Sequence, residues 1–206
     1  MMCGIEDLGS QLDAGVITDE LRAVGRAKEL QQMKGFGVFM PVERNTLKGV
    51  KVIKTRWVEN LKSPGEARCR FVAKDIAYFR RDDVSAAAPS NLAKRLTEVF
   101  AAKMGYPSIV ADVTVAFLHA SAGAGLLHLE PLYEWFWEIG YVIGTRVWLL
   151  PKQLYGCRGA PLAWQEHLAT LFLELGFIRL KTNPTLTYSV DWSVVVSPPT
   201  PRQNSL

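Results

Sequence analysis

The chain has 206 residues, 49% of them hydrophobic and 10% aromatic, with six Trp and nine Phe. That is enough apolar material for the core of one ordinary domain or one lobe of a larger enzyme, and it excludes wholesale disorder. A formal charge of +4 and a pI near 9.0 tilt the chain toward polyanionic partners, because cations near phosphates release condensed counterions. A charge this small is equally ordinary on a protein with no nucleic-acid role.

Cys3, Cys69 and Cys157 are odd in number and widely spaced, which argues for free thiols over a disulfide framework or a zinc knuckle. No charged n-region precedes an apolar h-region, and no run approaches bilayer-spanning length. The expectation is a protein of the cytoplasm or nucleus, neither secreted nor membrane-bound.

Residues 1–17 are Gly-rich and unpatterned and read as a disordered leader. Thr18 can cap a helix over 19–34, with Asp19 and Glu20 in its first turn and Leu21, Val24 and Leu30 on one face until Gly35 ends it. From Val50 to Val58 the pattern is strand-like, and Ser63-Pro64-Gly65 signals a turn before Arg68-Cys69-Arg70-Phe71-Val72-Ala73-Lys74. This predicts a β-hairpin. On a two-residue repeat Lys54, Arg56, Arg68, Arg70 and Lys74 share no apolar positions and can line one solvent face, either as a binding surface or as an ordinary charged exterior.

Pro89 and Ser90 open a second helix with Leu92, Leu96, Val99 and Phe100 on its buried stripe, closed by Gly105. Pro107 starts a short apolar strand, Ser108-Ile109-Val110-Ala111, which delivers Asp112 at its end. A further strand, Arg146–Leu150, leads into Gln153-Leu154-Tyr155-Gly156. Pro161 sits where a first helical turn tolerates proline, and Trp164, Leu168, Leu171, Phe172 and Leu175 form a helical stripe up to Gly176. Residues 177–196 alternate loosely and predict one or two strands. From Ser197 the chain is polar and proline-rich and reads as a disordered tail over 197–206, which leaves one organised domain over 18–196.

The sequence holds no nucleophile elbow, no Walker loop and no His pair at helical metal spacing; His119, His128 and His167 are scattered and read as core or surface residues. Gly123-Ala124-Gly125 lacks the third glycine of a dinucleotide fingerprint and reads as a mobile loop. What remains is Asp112. A carboxylate fixed at a strand end suits Mg²⁺, which wants hard oxygen ligands in near-octahedral geometry, and it serves equally well as a cap for the next turn.

The run Ala111-Asp112-Val113-Thr114-Val115-Ala116-Phe117-Leu118-His119 resembles the first catalytic motif of copia-type retrotransposon reverse transcriptases, typically D-V-K-N-A-F-L-H-G. Gln153-Leu154-Tyr155-Gly156-Cys157-Arg158-Gly159-Ala160-Pro161-Leu162-Ala163-Trp164 is similar to their S-L-Y-G-L-K-Q-A-P-R-A-W. Thr55-Arg56-Trp57-Val58, Arg68–Lys74 (family K-A-R-L-V-A-K) and Asn183-Pro184-Thr185-Leu186 (family D-P-S-L) follow in the family's order. Ordered matches from about residue 20 to about residue 190 are far more specific than any single motif.

The resemblance implies an α+β right-hand polymerase fold, here fingers plus a partial palm, with an antiparallel sheet and packed helices. It also implies two-metal nucleotidyl transfer with Mg²⁺ or Mn²⁺. In that picture Asp112 is a catalytic residue and metal ligand, and the Val113 carbonyl assists. Phe117 closes off the 2′-position of the incoming sugar, or is a plain core residue. The Tyr155-Gly156 turn lies under the nucleotide, and Arg70 and Lys74 face the triphosphate. The implied partners are an RNA template, a DNA primer or RNA–DNA hybrid, and deoxynucleoside triphosphates.

The departures bear on activity. The second catalytic motif, Y-x-D-D, supplies the other two aspartates in the family and is absent after Leu186. Asp191 is the only acid that follows, and Val194-Val195-Val196 resembles the start of the missing strand. The second palm hairpin and the thumb are therefore lacking from this chain. Thr114 and Val115 replace the usual Lys and Asn. The expectation is a truncated reverse transcriptase that does not polymerise alone. The alternatives are a non-catalytic nucleic-acid-binding remnant, or a decayed element with no selected function.

Overall fold

The computed structural model describes residues 16–63, 65–75, 86, 90–109, 111–123, 127–190 and 194–196. The expected leader up to residue 15, Pro64, Pro89, Val110, Gly125, Asp191 and the expected tail over 197–206 lie outside the described residues.

Helix α1 spans Asp19–Gly35, and the Thr18 hydroxyl accepts the Leu21 N–H at 3.3 Å. Its acidic first turn sits at the positive end of the helix dipole. Its buried face is Gly25, Glu29, Leu30 and Met33, with Val24 68% exposed, so the expected Leu21-Val24-Leu30 stripe is rotated. The cause is Gly25. A Cβ there would lie 2.7 Å from Cys69 Sγ and 2.9 Å from the Ala67 carbonyl, so the helix seats this bare position against the hairpin and turns Val24 outward.

Strands β1 (Met40–Glu43), β2 (Val52–Ile53), β5 (Leu127–Leu129) and β6 (Arg146–Leu150) form one sheet in the order β1-β6-β5-β2. The sheet is mixed, not wholly antiparallel as expected. β1 and β2 run the same way at opposite edges, with the antiparallel β5–β6 pair between them, so β2 and β5 pair in parallel. Strands β3 (Thr55–Ser63) and β4 (Glu66–Ala73) make the predicted hairpin, in register from Thr55↔Ala73 to Leu61↔Ala67.

The core sits between this sheet, the hairpin and α1. Trp148 is its centre: Phe39 stacks on it at 3.9 Å, and Trp135 and Phe71 meet it edge-on at 5.1 Å and 5.3 Å. Met33, Val38, Leu118, Leu129, Val147, Leu150 and Leu154 are also fully buried. β1 and β5 and helices α3 (Ala116–His119) and α4 (Tyr133–Ile139) were all unanticipated; β5, α3 and α4 bring Leu129, Leu118, Trp135 and Phe136 to the core, and β1 brings none of the buried residues.

Helix α2 (Asn91–Met104) forms where expected, with the Ser90 hydroxyl accepting the Ala93 N–H at 3.0 Å. Its stripe is not buried, however: Leu92, Leu96 and Val99 are 67%, 59% and 64% exposed, and Ala93 is the buried position. Leu92 and Leu96 line an open groove of about 340 Å³ shared with Leu180, Leu186 and Val195. The apolar period of α2 is real, but no described element covers it.

Helix α5 (Ala160–Glu174) carries Pro161 in its first turn. Trp164, Leu168 and Phe172 are half-buried, with Phe172 against the Phe177 ring at 5.3 Å, while Leu171 and Leu175 are exposed, so the stripe packs only in part. Strands β7 (Ile178–Arg179), β8 (Thr187–Tyr188) and β9 (Val195–Val196) form a small antiparallel sheet, one strand more than expected. No described helix is long and apolar enough to cross a membrane.

Candidate functional site

The β3–β4 register gives the hairpin two unlike faces. Arg56↔Val72, Val58↔Arg70 and Asn60↔Arg68 are cross-strand pairs, and residues directly opposite share a face. The Lys74 N–H donates to the Lys54 carbonyl at 2.8 Å, which carries the same alternation one step further. Lys54, Arg56, Arg68, Arg70 and Lys74 thus lie on one side, as the two-residue repeat predicts; Arg70 is half-buried and the other four are exposed. Among the described residues no carboxylate forms a salt bridge with any of them.

The opposite face is held by α1. The Arg22 and Arg26 guanidinium groups donate to the Glu59 carboxylate at 2.9 Å and 2.7 Å, and Arg26 also reaches Glu134 of α4 at 2.7 Å. Burial pulls the Glu59 carboxyl upward, but hydrogen bonds from Arg26 and Arg22 outweigh it and hold the group below the usual carboxylate range.

The Tyr155-Gly156 turn packs against the end of β4. The Ala73 N–H donates to the Tyr155 carbonyl at 2.8 Å, and the Arg158 N–H donates to Asp75 Oδ2 at 3.2 Å. Gly156 has φ 81°, and a Cβ there would fall 2.1 Å from the Ala73 carbonyl oxygen and 2.5 Å from Val72 Cγ1. Glycine is required here on both counts. Above the turn, the Arg70 guanidinium carbon lies 4.8 Å from the Tyr155 ring centroid, and Phe117 meets the same ring edge-on at 5.6 Å. Burial raises the Tyr155 phenol, against the lowering effect of Arg70, and it stays protonated at neutral pH. Burial likewise pushes the Cys157 thiol up to about 12, which makes it an inert core group.

Four of the singled-out residues, Arg70, Phe117, Tyr155 and Gly156, therefore meet in one cluster, with Lys74 exposed at the same end of β4. No hydrogen bond or ion pair joins Asp112 or Val113 to them. Residues 111–113 are irregular and exposed, and among the described residues of the expected strand, Ser108, Ile109 and Ala111, none is in a strand. Ile109, within that apolar run, is 87% exposed. A strand must pair its backbone N–H and C=O groups, and no described strand lies beside this segment to accept them.

Downstream, Val115 takes the left-handed conformation (φ 49°, ψ 38°) at the start of α3, where its carbonyl accepts the Leu118 N–H at 2.9 Å. It is the one non-glycine among the described residues with positive φ, and a β-branched side chain is poorly suited to it. Asparagine, the residue of the resembled motif here, tolerates that conformation.

Two divalent cations require several fixed oxygen ligands. Asp112 offers one exposed carboxylate, and the described residues include no group of three or more His, Cys, Asp or Glu arranged to hold a metal. The described donors do not fit a two-cation centre. Asp75, which ties the Tyr155 turn to β4, and Glu29, whose Oε1 accepts the Phe71 N–H at 3.4 Å, were not anticipated from sequence. Polar groups that satisfy a strand edge carry no spacing signature.

The model of the reverse transcriptase (RNA-dependent DNA polymerase) family matches residues 40–191. That segment takes in the hairpin, the Asp112 segment and the Tyr155-Gly156 turn, and leaves α1 outside. No curated protein and no solved structure gives a significant match. With the motifs in family order and the match spanning well over half its length, the chain belongs to the reverse transcriptase (RNA-dependent DNA polymerase) family.

Proposed function

We propose that this chain represents the fingers and first-motif half of a copia-type retrotransposon reverse transcriptase, able to hold nucleic acid but unable to polymerise by itself. The observation that carries the reading is the cluster at the end of β4. Arg70 over the Tyr155 ring, flanked by Phe117 and continuous with the unpaired cations Lys54, Arg56, Arg68 and Lys74, offers charge and an aromatic ring to a phosphorylated, base-bearing ligand. The fitting partners are an RNA template with a DNA primer, and deoxynucleoside triphosphates at Arg70 and Lys74.

Inactivity follows from the donor set. Reverse transcriptases generally use divalent metal ions, and Asp112 with the Val113 carbonyl provides a single carboxylate. Losing one key electrostatic group of such a site typically costs about 10²–10³ in rate, and here two carboxylates are missing. Phe117 acts as the barrier at the sugar 2′-position while also packing on the core.

A second reading, a non-catalytic nucleic-acid-binding module, draws on the same basic face. Both are tested by filter binding of an RNA–DNA hybrid across a salt series. Binding should weaken steeply with salt, with a log–log slope of about −3 to −5 if most of the basic residues on this face meet phosphates. No measurable affinity at low salt would overturn both.

A further inference from the structure

One buried charge has no part in that site. Glu29 is 5% exposed in the middle of α1, upstream of the family-matched segment. β4 is an outer strand of its two-stranded sheet, so the N–H groups on its free edge lack ladder partners. The Tyr155 carbonyl takes the Ala73 N–H and the Glu29 carboxylate takes that of Phe71. A neutral amide oxygen would satisfy the Phe71 N–H equally well. What the carboxylate adds is a negative charge, buried beside a strand whose next residue on either side is Arg70 or Val72.

We propose that Glu29 is a positioning residue and an internal counter-charge for the basic face: ionised, it pins β4 and weakens the grip of Arg68 and Arg70 on polyphosphate, and taking up a proton releases them. This rests on the reading of that face as a nucleic-acid surface. The ionisable groups whose charge is felt at Glu29 are Arg70 and Arg68 on the far side of β4, the Cys69 thiol on the α1 side and the Tyr155 phenol of the turn. Burial raises its carboxyl, and the Phe71 N–H, Arg70 and Arg68 only partly offset this, which brings the proton uptake toward milder pH.

The test is fluorescence anisotropy of a labelled oligo(rA)·oligo(dT) hybrid at low salt from pH 4.5 to 8, using the full chain. Glu29→Gln keeps the acceptor and removes the charge. It should bind about fivefold tighter than wild type at pH 7.5, as expected for one charge removed at partly screened range, and the gap should narrow as the pH falls. In an Arg68→Gln/Arg70→Gln background the same change should have no effect. Equal binding by Glu29→Gln and wild type at pH 7.5, or a gap that persists without the two arginines, would overturn the proposal. Should Glu29→Gln not fold by circular dichroism, wild type must still gain more affinity between pH 8 and 4.5 than Arg68→Gln/Arg70→Gln; equal gains overturn it. If wild type binds no hybrid at any pH, the basic-face reading itself fails.

Discussion

Around Trp148 the large side chains of α1, β4, β5, β6 and α4 are buried against one another, whereas along α2 Leu92 and Leu96 line an open groove and Val99 is exposed. Both regions carry the apolar periodicity that makes a helix or strand amphipathic. Only the first has elements to close over it. Asp112 belongs with the second: its segment leaves α2 unpaired and becomes ordered only at α3, where Leu118 enters the core. The residues of the candidate site divide in a similar way, with Arg70, Phe117, Tyr155 and Gly156 on the packed body and Asp112 in an exposed, irregular stretch.

This contrast can be broken most forcefully at Gly156 and Trp148. Gly156→Ala puts a Cβ into the Ala73 backbone at a left-handed φ and should destabilise by about 3 kcal/mol or more. Trp148→Ala should cost about 3–5 kcal/mol. On α2, Leu96→Ser should fall within about 0.5 kcal/mol of wild type and improve solubility. Urea denaturation midpoints compare all three; a large loss for Leu96→Ser would mean that α2 is covered after all.

A smaller effect is expected where α1 is bolted to the hairpin. Glu59→Gln removes the negative charge and one of the two oxygens that accept from the Arg22 and Arg26 guanidinium groups, and should cost about 1–2 kcal/mol. Because the Glu59 carboxyl is held below its ordinary value of 4.5, its contribution is fully present above that pH and is lost as the pH falls through the depressed value. Wild type should therefore lose stability on acidification more steeply than Glu59→Gln, and parallel melting-temperature profiles would refute the bridge.

Much of the packed body was legible in the sequence. Thr18 and Ser90 cap helices that begin where their positions indicate, the Arg68–Lys74 run forms its strand, and the two-residue repeat places Arg68 and Arg70 on one face. β1 and β5 were not legible, and β2, though inside the predicted Val50–Val58 strand, was not read as separate from β3 or as pairing in parallel, because strands of two to four residues are chosen by their neighbours in space rather than by their own pattern. The strand before Asp112 and the buried stripe of α2 were misjudged for one shared reason: apolar spacing says that a face wants cover, not that cover exists. In the site, the motifs identified Arg70, Phe117, Tyr155 and Gly156, while Glu29 and Asp75 act through single backbone N–H groups that no motif encodes.

The smallest expected effect sharpens the contrast at its seam. Val115→Asn should relieve about 1–2 kcal/mol of left-handed strain and lose part of that gain with the Val115 packing on the core. A net stabilisation of about 0.5 kcal/mol is expected, read as a small rise in melting temperature. Destabilisation would mean that packing, not backbone strain, dominates at this bend.

The central claim is that the chain carries the nucleic-acid face of a reverse transcriptase with only one carboxylate of its metal site. Extension of a labelled DNA primer on an RNA template, with Mg²⁺ and with Mn²⁺, tests it directly. The account predicts no extension above background and no difference between wild type and Asp112→Ala. Robust synthesis that disappears in Asp112→Ala would contradict it.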